Sequence, residues 1–160
     1  MQESKLTHQH DPDNTSLLQQ LLAAQDANPK NYLSENDLQA IARRFGVSRS
    51  RVYSTASFYS ELSLVPRGRH LIRVCVNAPC ENEGNREILK SLEKALGIRL
   101  GQTTPDSQFT LESVNCLGAC YMSPAIKIDD QIFGNLSPDS IQGILTQFTE
   151  EAKRGDALCR

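Results

Sequence analysis

The spacing of apolar residues changes once along the chain, and that change divides it into two kinds of structure. Up to about residue 58 the apolar positions recur at helical intervals. From Leu71 onward short β-branched runs alternate with amphipathic helical ones. In the first stretch, Thr15 or Ser16 can cap a helix carrying Leu17, Leu18, Leu21 and Leu22, which Asn28-Pro29 stops. Ser34 caps a second, with Glu35 and Asp37 in the first turn, Leu38, Ile41, Ala42 and Phe45 on the apolar face, and Gly46 as its left-handed end. Ser48 caps a third, with Val52, Tyr53, Ala56 and Phe58 on one side, before Pro66-Arg67-Gly68 breaks the pattern.

The second stretch reads as a strand over Leu71–Val76, a loop over Asn77–Gly84, and a helix over Arg86–Leu96 closed by Gly97. A half-buried strand follows at Phe109–Val114, then a loop over Cys116–Pro124. Two short strands, Ala125–Ile128 and Gln131–Phe133, turn at Asp129-Asp130. A last helix opens at Ser137-Pro138 and buries Ile141, Ile144, Leu145 and Phe148. These periods predict a tail over residues 1–14, a helical module over 15–66, an α/β domain with a small sheet over 67–150, and a charged tail over 151–160.

Composition narrows the function. The chain has 160 residues, 39% of them apolar, with a net charge of −2, so the strong basic field of a typical nucleic-acid binder is absent. No apolar run approaches the length that spans a bilayer, and Met1–Asn14 lacks the apolar core of a secretory signal. The expectation is a soluble, cytoplasmic protein. In a reducing compartment, closely spaced cysteines hold metals or do redox chemistry more often than they form structural disulfides.

Four of the five cysteines form two close pairs: Cys75 and Cys80 with four residues between them, Cys116 and Cys120 with three. Each pair sits where a strand ends and a loop begins, and two strand ends side by side would bring the four sulfurs together. Gly118 and Ala119 let backbone approach sulfur, and Pro79 and Pro124 stiffen the loops. Spacing alone admits an iron–sulfur cluster, a structural zinc or a redox dithiol. Cys159 stands alone beside the C-terminus and reads as a tail residue. No Gly-rich phosphate loop or nucleophile–base pair stands out, and His8 and His10 read as solvated residues of the N-terminal tail.

The motifs Cys75-Val-Asn-Ala-Pro-Cys80 and Cys116-Leu-Gly-Ala-Cys120 resemble the ligand motifs of thioredoxin-like [2Fe-2S] ferredoxins. They are closest to the 24-kDa-type subunit of NADH dehydrogenase (complex I) and its relatives in NAD-linked hydrogenases and formate dehydrogenases. Val52-Tyr-Ser-Thr-Ala-Ser-Phe58-Tyr59 and Gly134-Asn-Leu-Ser-Pro138 extend the resemblance from about Leu17 to Phe148. The resemblance implies a thioredoxin-like ferredoxin domain behind the helical module, with one [2Fe-2S] cluster on Cys75, Cys80, Cys116 and Cys120. It also implies a hetero-oligomeric assembly with a larger iron–sulfur subunit that binds FMN and NAD(H). The complex would be cytoplasmic, or the cytoplasmic peripheral arm of a membrane complex, with no direct membrane insertion by this chain. Two departures stand out: Glu81 and Glu83 where members often carry a basic residue, and Tyr121-Met122-Ser123-Pro124 where many carry Gly-Asn-Ala-Pro.

A competing reading attaches to Leu38–Tyr53, which also resembles a DNA-binding helix-turn-helix, with Arg49 and Arg51 opening the second helix. An iron–sulfur DNA-binding regulator is therefore one alternative, and a zinc-stabilised interaction protein is another. The acidic residues among the first 66 offset these arginines, so the preferred reading has no nucleic-acid partner.

Overall fold

The computed structural model describes residues 16–157, with side chains through residue 149. The tail expected over residues 1–14, His8, His10 and Cys159 lie outside the described residues. The chain divides into two compact units, Met1–Val65 and Pro66–Arg160.

The first unit holds three helices: α1 (Leu17–Asp26), α2 (Glu35–Phe45) and α3 (Arg49–Phe58). Ser16 and Ser34 each accept the N3 backbone N–H, and the side chains of Gln19 and Asp37 accept the N-cap N–H in turn, so α1 and α2 open on complete capping boxes. Ser48 caps α3 through Arg51 N–H, and Gly46 ends α2 at φ 61°. Leu21, Leu33, Leu38, Ile41, Val52 and Ala56 form the core. Among the described residues of this unit, two polar ones, Gln25 and Ser63, are buried. Gln25 donates from Nε2 to Glu61 O at 2.9 Å and accepts from Ser63 N–H at 2.7 Å, stitching α1 to the segment that closes the unit. Tyr53 and Phe58, expected on the buried side of α3, are instead 53% and 80% exposed. In a ten-residue helix Val52 and Ala56, one turn apart, already fill the inward face.

The second unit is a four-stranded sheet in the order β2-β1-β3-β4, built from β1 (His70–Cys75), β2 (Phe109–Val114), β3 (Ile126–Ile128) and β4 (Gln131–Phe133). β1 and β2 are parallel, and β3 and β4 add antiparallel on the other side of β1. A parallel pair needs a crossover. It is supplied by α4 (Ala78–Asn82), α5 (Asn85–Leu96) and the loop after Gly97, which takes φ 66°. α4 is a difference from the sequence reading, which has a loop there. Five residues are too few to show a helical period, although Pro79 in the first turn presets helical φ.

α5 and α6 (Ser140–Ala157) pack on one face of the sheet, where Ile88, Leu92, Ile141 and Phe148 meet Ile72, Leu111 and Ile126. α6 begins three residues after the predicted Ser137, because Ser137–Asp139 form a turn in which Ser140 Oγ donates to Ser137 O at 2.7 Å. It continues past Glu150 to Ala157, through residues that are mostly good helix formers. At the far end of β1 from Cys75, Asp129 holds the β3–β4 turn against the strand. It accepts Leu71 N–H at 2.9 Å and lies 2.7 Å from His70 Nδ1.

The segment entering β1 is pinned by a close approach. Gly68 N–H donates to the buried Thr110 Oγ1 at 2.6 Å. A Cβ on Gly68 would stand 2.7 Å from the Phe109 carbonyl carbon and 2.8 Å from its nitrogen. Both neighbours are backbone of β2 and cannot swing aside. Gly68→Ala should therefore cost about 1–3 kcal/mol, the usual range for overpacking a rigid site. A thermal melt of the purified chain checks this, and an unchanged midpoint would show that the segment yields freely.

Candidate metal centre

Because β1 and β2 run parallel with Cys75 opposite Val114, both strands deliver their chains to the same edge of the sheet. Val76 N–H donates to Val114 O at 3.2 Å and carries the pairing one residue further. The two cysteine loops therefore start side by side.

Cys75 is the last residue of β1 and is 2% exposed. Its thiol donates to Asn115 O at 3.4 Å, and the backbone N–H groups of Asn77 and Leu117, one from each loop, are directed at its sulfur. Cys80 lies on α4 and is buried. On the second loop Cys116 is exposed, and Gly118, at φ 73°, turns its N–H back onto Cys116 Sγ at 3.3 Å. Cys120, also exposed, opens a 3-10 turn, Cys120–Met122.

The four predicted ligands are linked in a row. The Cys80 sulfur interacts with those of Cys75 and Cys120, and Cys120 interacts in turn with Cys116. Among the described residues, no three His, Cys, Asp or Glu side chains gather about one point as a single-ion site requires. The arrangement is two pairs sharing a seam. Its first pair is buried and its second open to solvent, with Tyr121 (86% exposed) and Val76 (43%) on the rim.

Backbone hydrogen bonds hold the second loop. Asn135 N–H donates to Met122 O at 2.7 Å and Leu136 N–H to Pro124 O at 3.1 Å. A Cβ on Gly134 would stand 2.6 Å from Met122 Cγ and 2.7 Å from Met122 O, so only glycine lets this segment lie against the loop. The sequence reading noted Gly134 only as part of a resemblance. It also missed Asn85, a buried side chain at the start of α5 that bonds to the backbone of Cys75 and Ala125. Nothing in a Gly-Asn-Arg run at a helix start signals burial.

Burial pushes the Cys75 thiol above its ordinary value, with Cys80 beside it adding to the rise and the Asn77 and Leu117 N–H groups opposing it. Cys120 is also raised, first by desolvation within its loop and then by repulsion from Cys116 and Cys80. Both thiols are therefore protonated at neutral pH in the metal-free chain, and a bound metal must displace those protons. The donor set fits an iron–sulfur group: four sulfurs in two pairs, with backbone N–H groups aimed at Cys75 and Cys116 to offset thiolate charge.

The helix-turn-helix segment spans α2 and α3. Arg49 forms an ion pair with Glu35 at the start of α2, and the outward side of α3 carries Tyr53 and Phe58.

The family model for thioredoxin-like [2Fe-2S] ferredoxin matches residues 3–149. The chain belongs to that family. It is 36% identical over 146 residues to a subunit of the NADH-quinone oxidoreductase of Pseudomonas aeruginosa, covering 91% of this chain and 86% of that one. It is 29% identical over 117 residues to the HndA subunit of the NADP-reducing hydrogenase of Solidesulfovibrio fructosivorans, covering 73% and 68% respectively. Among solved structures, an NAD+-reducing [NiFe]-hydrogenase in the air-oxidised state superposes with TM-score 0.70 at 23% identity. That alignment covers 82% of this chain but only 23% of the hydrogenase chain, and it establishes the shared fold. The family and fold expected from the cysteine motifs are thus those of the protein.

A thiol whose pKa is raised by folding stabilises the metal-free fold while protonated; that contribution is complete below the ordinary thiol value and is lost as pH rises from there through the raised value of the folded chain. Denaturant unfolding of the metal-free chain should show stability falling as pH rises above about 8.5, the ordinary thiol value, and a Cys75→Ser variant should lose part of that fall. Gly134→Ala should displace the Cys120 turn and destabilise the chain by about 1–3 kcal/mol. Comparing its melting midpoint and Cys120 alkylation rate with those of the parent tests this.

Proposed function

We propose that this chain carries one [2Fe-2S] cluster on Cys75, Cys80, Cys116 and Cys120, as an electron-transfer subunit of an NAD(H)-dependent oxidoreductase complex. The observation that carries the reading is the β1–β2 register, which sets two cysteine pairs, with 35 residues between them in sequence, at one sheet edge in a chain of this family. When bound, such a cluster supplies a centre that takes up or releases one electron at a time.

The chain's own residues set the conditions for that exchange. Cys75 and Cys80 lie in the protein interior, where water is excluded, and the Asn77 and Leu117 N–H groups offset charge on the Cys75 sulfur. The Cys116–Cys120 loop faces outward, so the short route to another redox centre leaves from there. Zinc is less well served, because it draws four donors about one ion, whereas a two-iron group takes two thiolates at each iron.

The partner we assign is a larger iron–sulfur subunit that binds FMN and NAD(H). Support comes from the relatives, which are named as subunits of NADH-quinone oxidoreductase and NADP-reducing hydrogenase. Support also comes from α3, whose outward side exposes Phe58 and Tyr53, an apolar area suited to a protein contact. Hydride chemistry then belongs to the partner. Among the described residues no helix is long and apolar enough to cross a membrane. The location we assign, in the cytoplasm or in the cytoplasmic arm of a membrane complex, rests on the complexes for which the relatives are named.

The test is chemical. Chain purified without oxygen should contain about two irons and two acid-labile sulfides, and dithionite should produce the EPR signal of one spin-half centre. Serine at Cys75, Cys80, Cys116 or Cys120 should abolish or alter that signal, and Cys159→Ser should leave it unchanged. Zinc without labile sulfide would overturn the reading.

A further inference from the structure

Asn85 is 2% exposed, an unusual place for a carboxamide, and every bond that holds it there leads to the cysteine loops. Its Nδ2 donates to Cys75 O at 2.8 Å and to Ala125 O at 3.2 Å, and its Oδ1 accepts Ala125 N–H at 3.0 Å. Both N–H bonds and one acceptor site are thereby used, which balances the cost of taking the amide out of water. Cys75 is a predicted ligand. Ala125 follows Pro124 at the end of the loop that bears Cys116 and Cys120. Asn85 itself follows the short helix that bears Cys80, through Gly84, at φ 101°. A Cβ at Gly84 would lie 3.7 Å from Pro124 Cγ, so this connection already rests against the end of the second loop. One side chain thus touches the backbone at the base of both ligand pairs.

We infer that Asn85 is a positioning residue of the metal centre: its carboxamide ties the Cys75 end of β1 to the Ala125 end of the second cysteine loop and fixes the spacing of the two ligand pairs. The inference rests on the cluster reading above. Packing alone would require only volume at this position, which leucine supplies. The three bonds require an amide, and they hold backbone next to the ligands rather than the ligands themselves. Groups of this kind typically change metal retention about 10–100-fold when removed.

The test uses the full chain loaded with cluster and compares Asn85→Ala and Asn85→Asp with Leu92→Ala. Leu92 is fully buried on α5 in the same core and has no part in the cysteine loops. Cluster loss to a chelator is followed by visible absorbance well below every melting midpoint, with EPR of the reduced protein alongside. Asn85→Ala should lose cluster about tenfold faster or more and show shifted g values. Asn85→Asp keeps the acceptor for Ala125 N–H but loses donor capacity, and should fall between it and the parent. Leu92→Ala should lower the melting midpoint while leaving chelation rate and EPR unchanged. In the metal-free chain, Cys75 of Asn85→Ala should be alkylated by iodoacetamide faster than in Leu92→Ala.

An Asn85→Ala protein that melts earlier but keeps the parental chelation rate and EPR spectrum overturns the inference. If that variant does not fold, parental behaviour of Asn85→Asp in both readouts overturns it equally. Failure of the cluster reading shows separately, as zinc without sulfide in the parent, and the alkylation comparison then still decides the role of Asn85.

Discussion

Everything at the cysteine site depends on one backbone pairing, β1 lying parallel to β2 with Cys75 opposite Val114. Were the two strands antiparallel, their loops would leave from opposite ends of the sheet and the cysteine pairs would be a strand length apart. Parallel pairing brings them together but demands a crossover, and in this chain the crossover begins with α4, which itself carries Cys80. The connection required by topology is thus also part of the site. The register is secured from both sides. Thr110 holds the Gly68 segment where it enters β1, and Ile72 and Leu111 face the same core. A slip of one residue would turn those side chains away from the core and carry Cys75 with them.

The helical unit was largely legible in its sequence because its helices begin and end on residues with strong local preferences. Ser16, Ser34 and Ser48 cap where a hydroxyl is needed, and Gly46, like Gly97 in the second unit, takes the left-handed end that suits glycine. Short β-branched runs, one stretch of apolar alternation and the Asp129-Asp130 turn placed the strands within a residue or so. What escaped was set by tertiary contact. α4 is shorter than any period that could reveal it. The start of α6 is decided by a turn through Ser140 rather than by Pro138. Phe58 is exposed because Val52 and Ala56 already fill the inward face of α3. At the site the four cysteines could be named from spacing, but their grouping follows from strand register, which no local pattern encodes. Asn85 and the close approach at Gly134 depend on partners 40 and 12 residues away in sequence.

The two units share a device. Gln25 in the first and Asn85 in the second are buried carboxamides that bond at both ends to backbone far away in the chain. A hydrophobic side chain would fill either position, yet it would leave the facing backbone groups without partners, at about 1–3 kcal/mol each. Such residues fix where a segment lies rather than how strongly the core coheres. In the helical unit the segment so fixed is the exit, Glu61–Ser63. In the sheet unit it is the base of the cysteine loops.

The clamp on the second loop is made through main-chain atoms, Met122 O to Asn135 N–H and Pro124 O to Leu136 N–H. Main-chain bonds are indifferent to the side chains attached to them. The position of Cys120 is therefore decoupled from the identity of residue 121, whose side chain stands 86% in solvent. Here that residue is tyrosine. The rim can change in shape and polarity at this point without moving the sulfur beside it, which leaves the choice of docking neighbour free to vary independently of the metal chemistry.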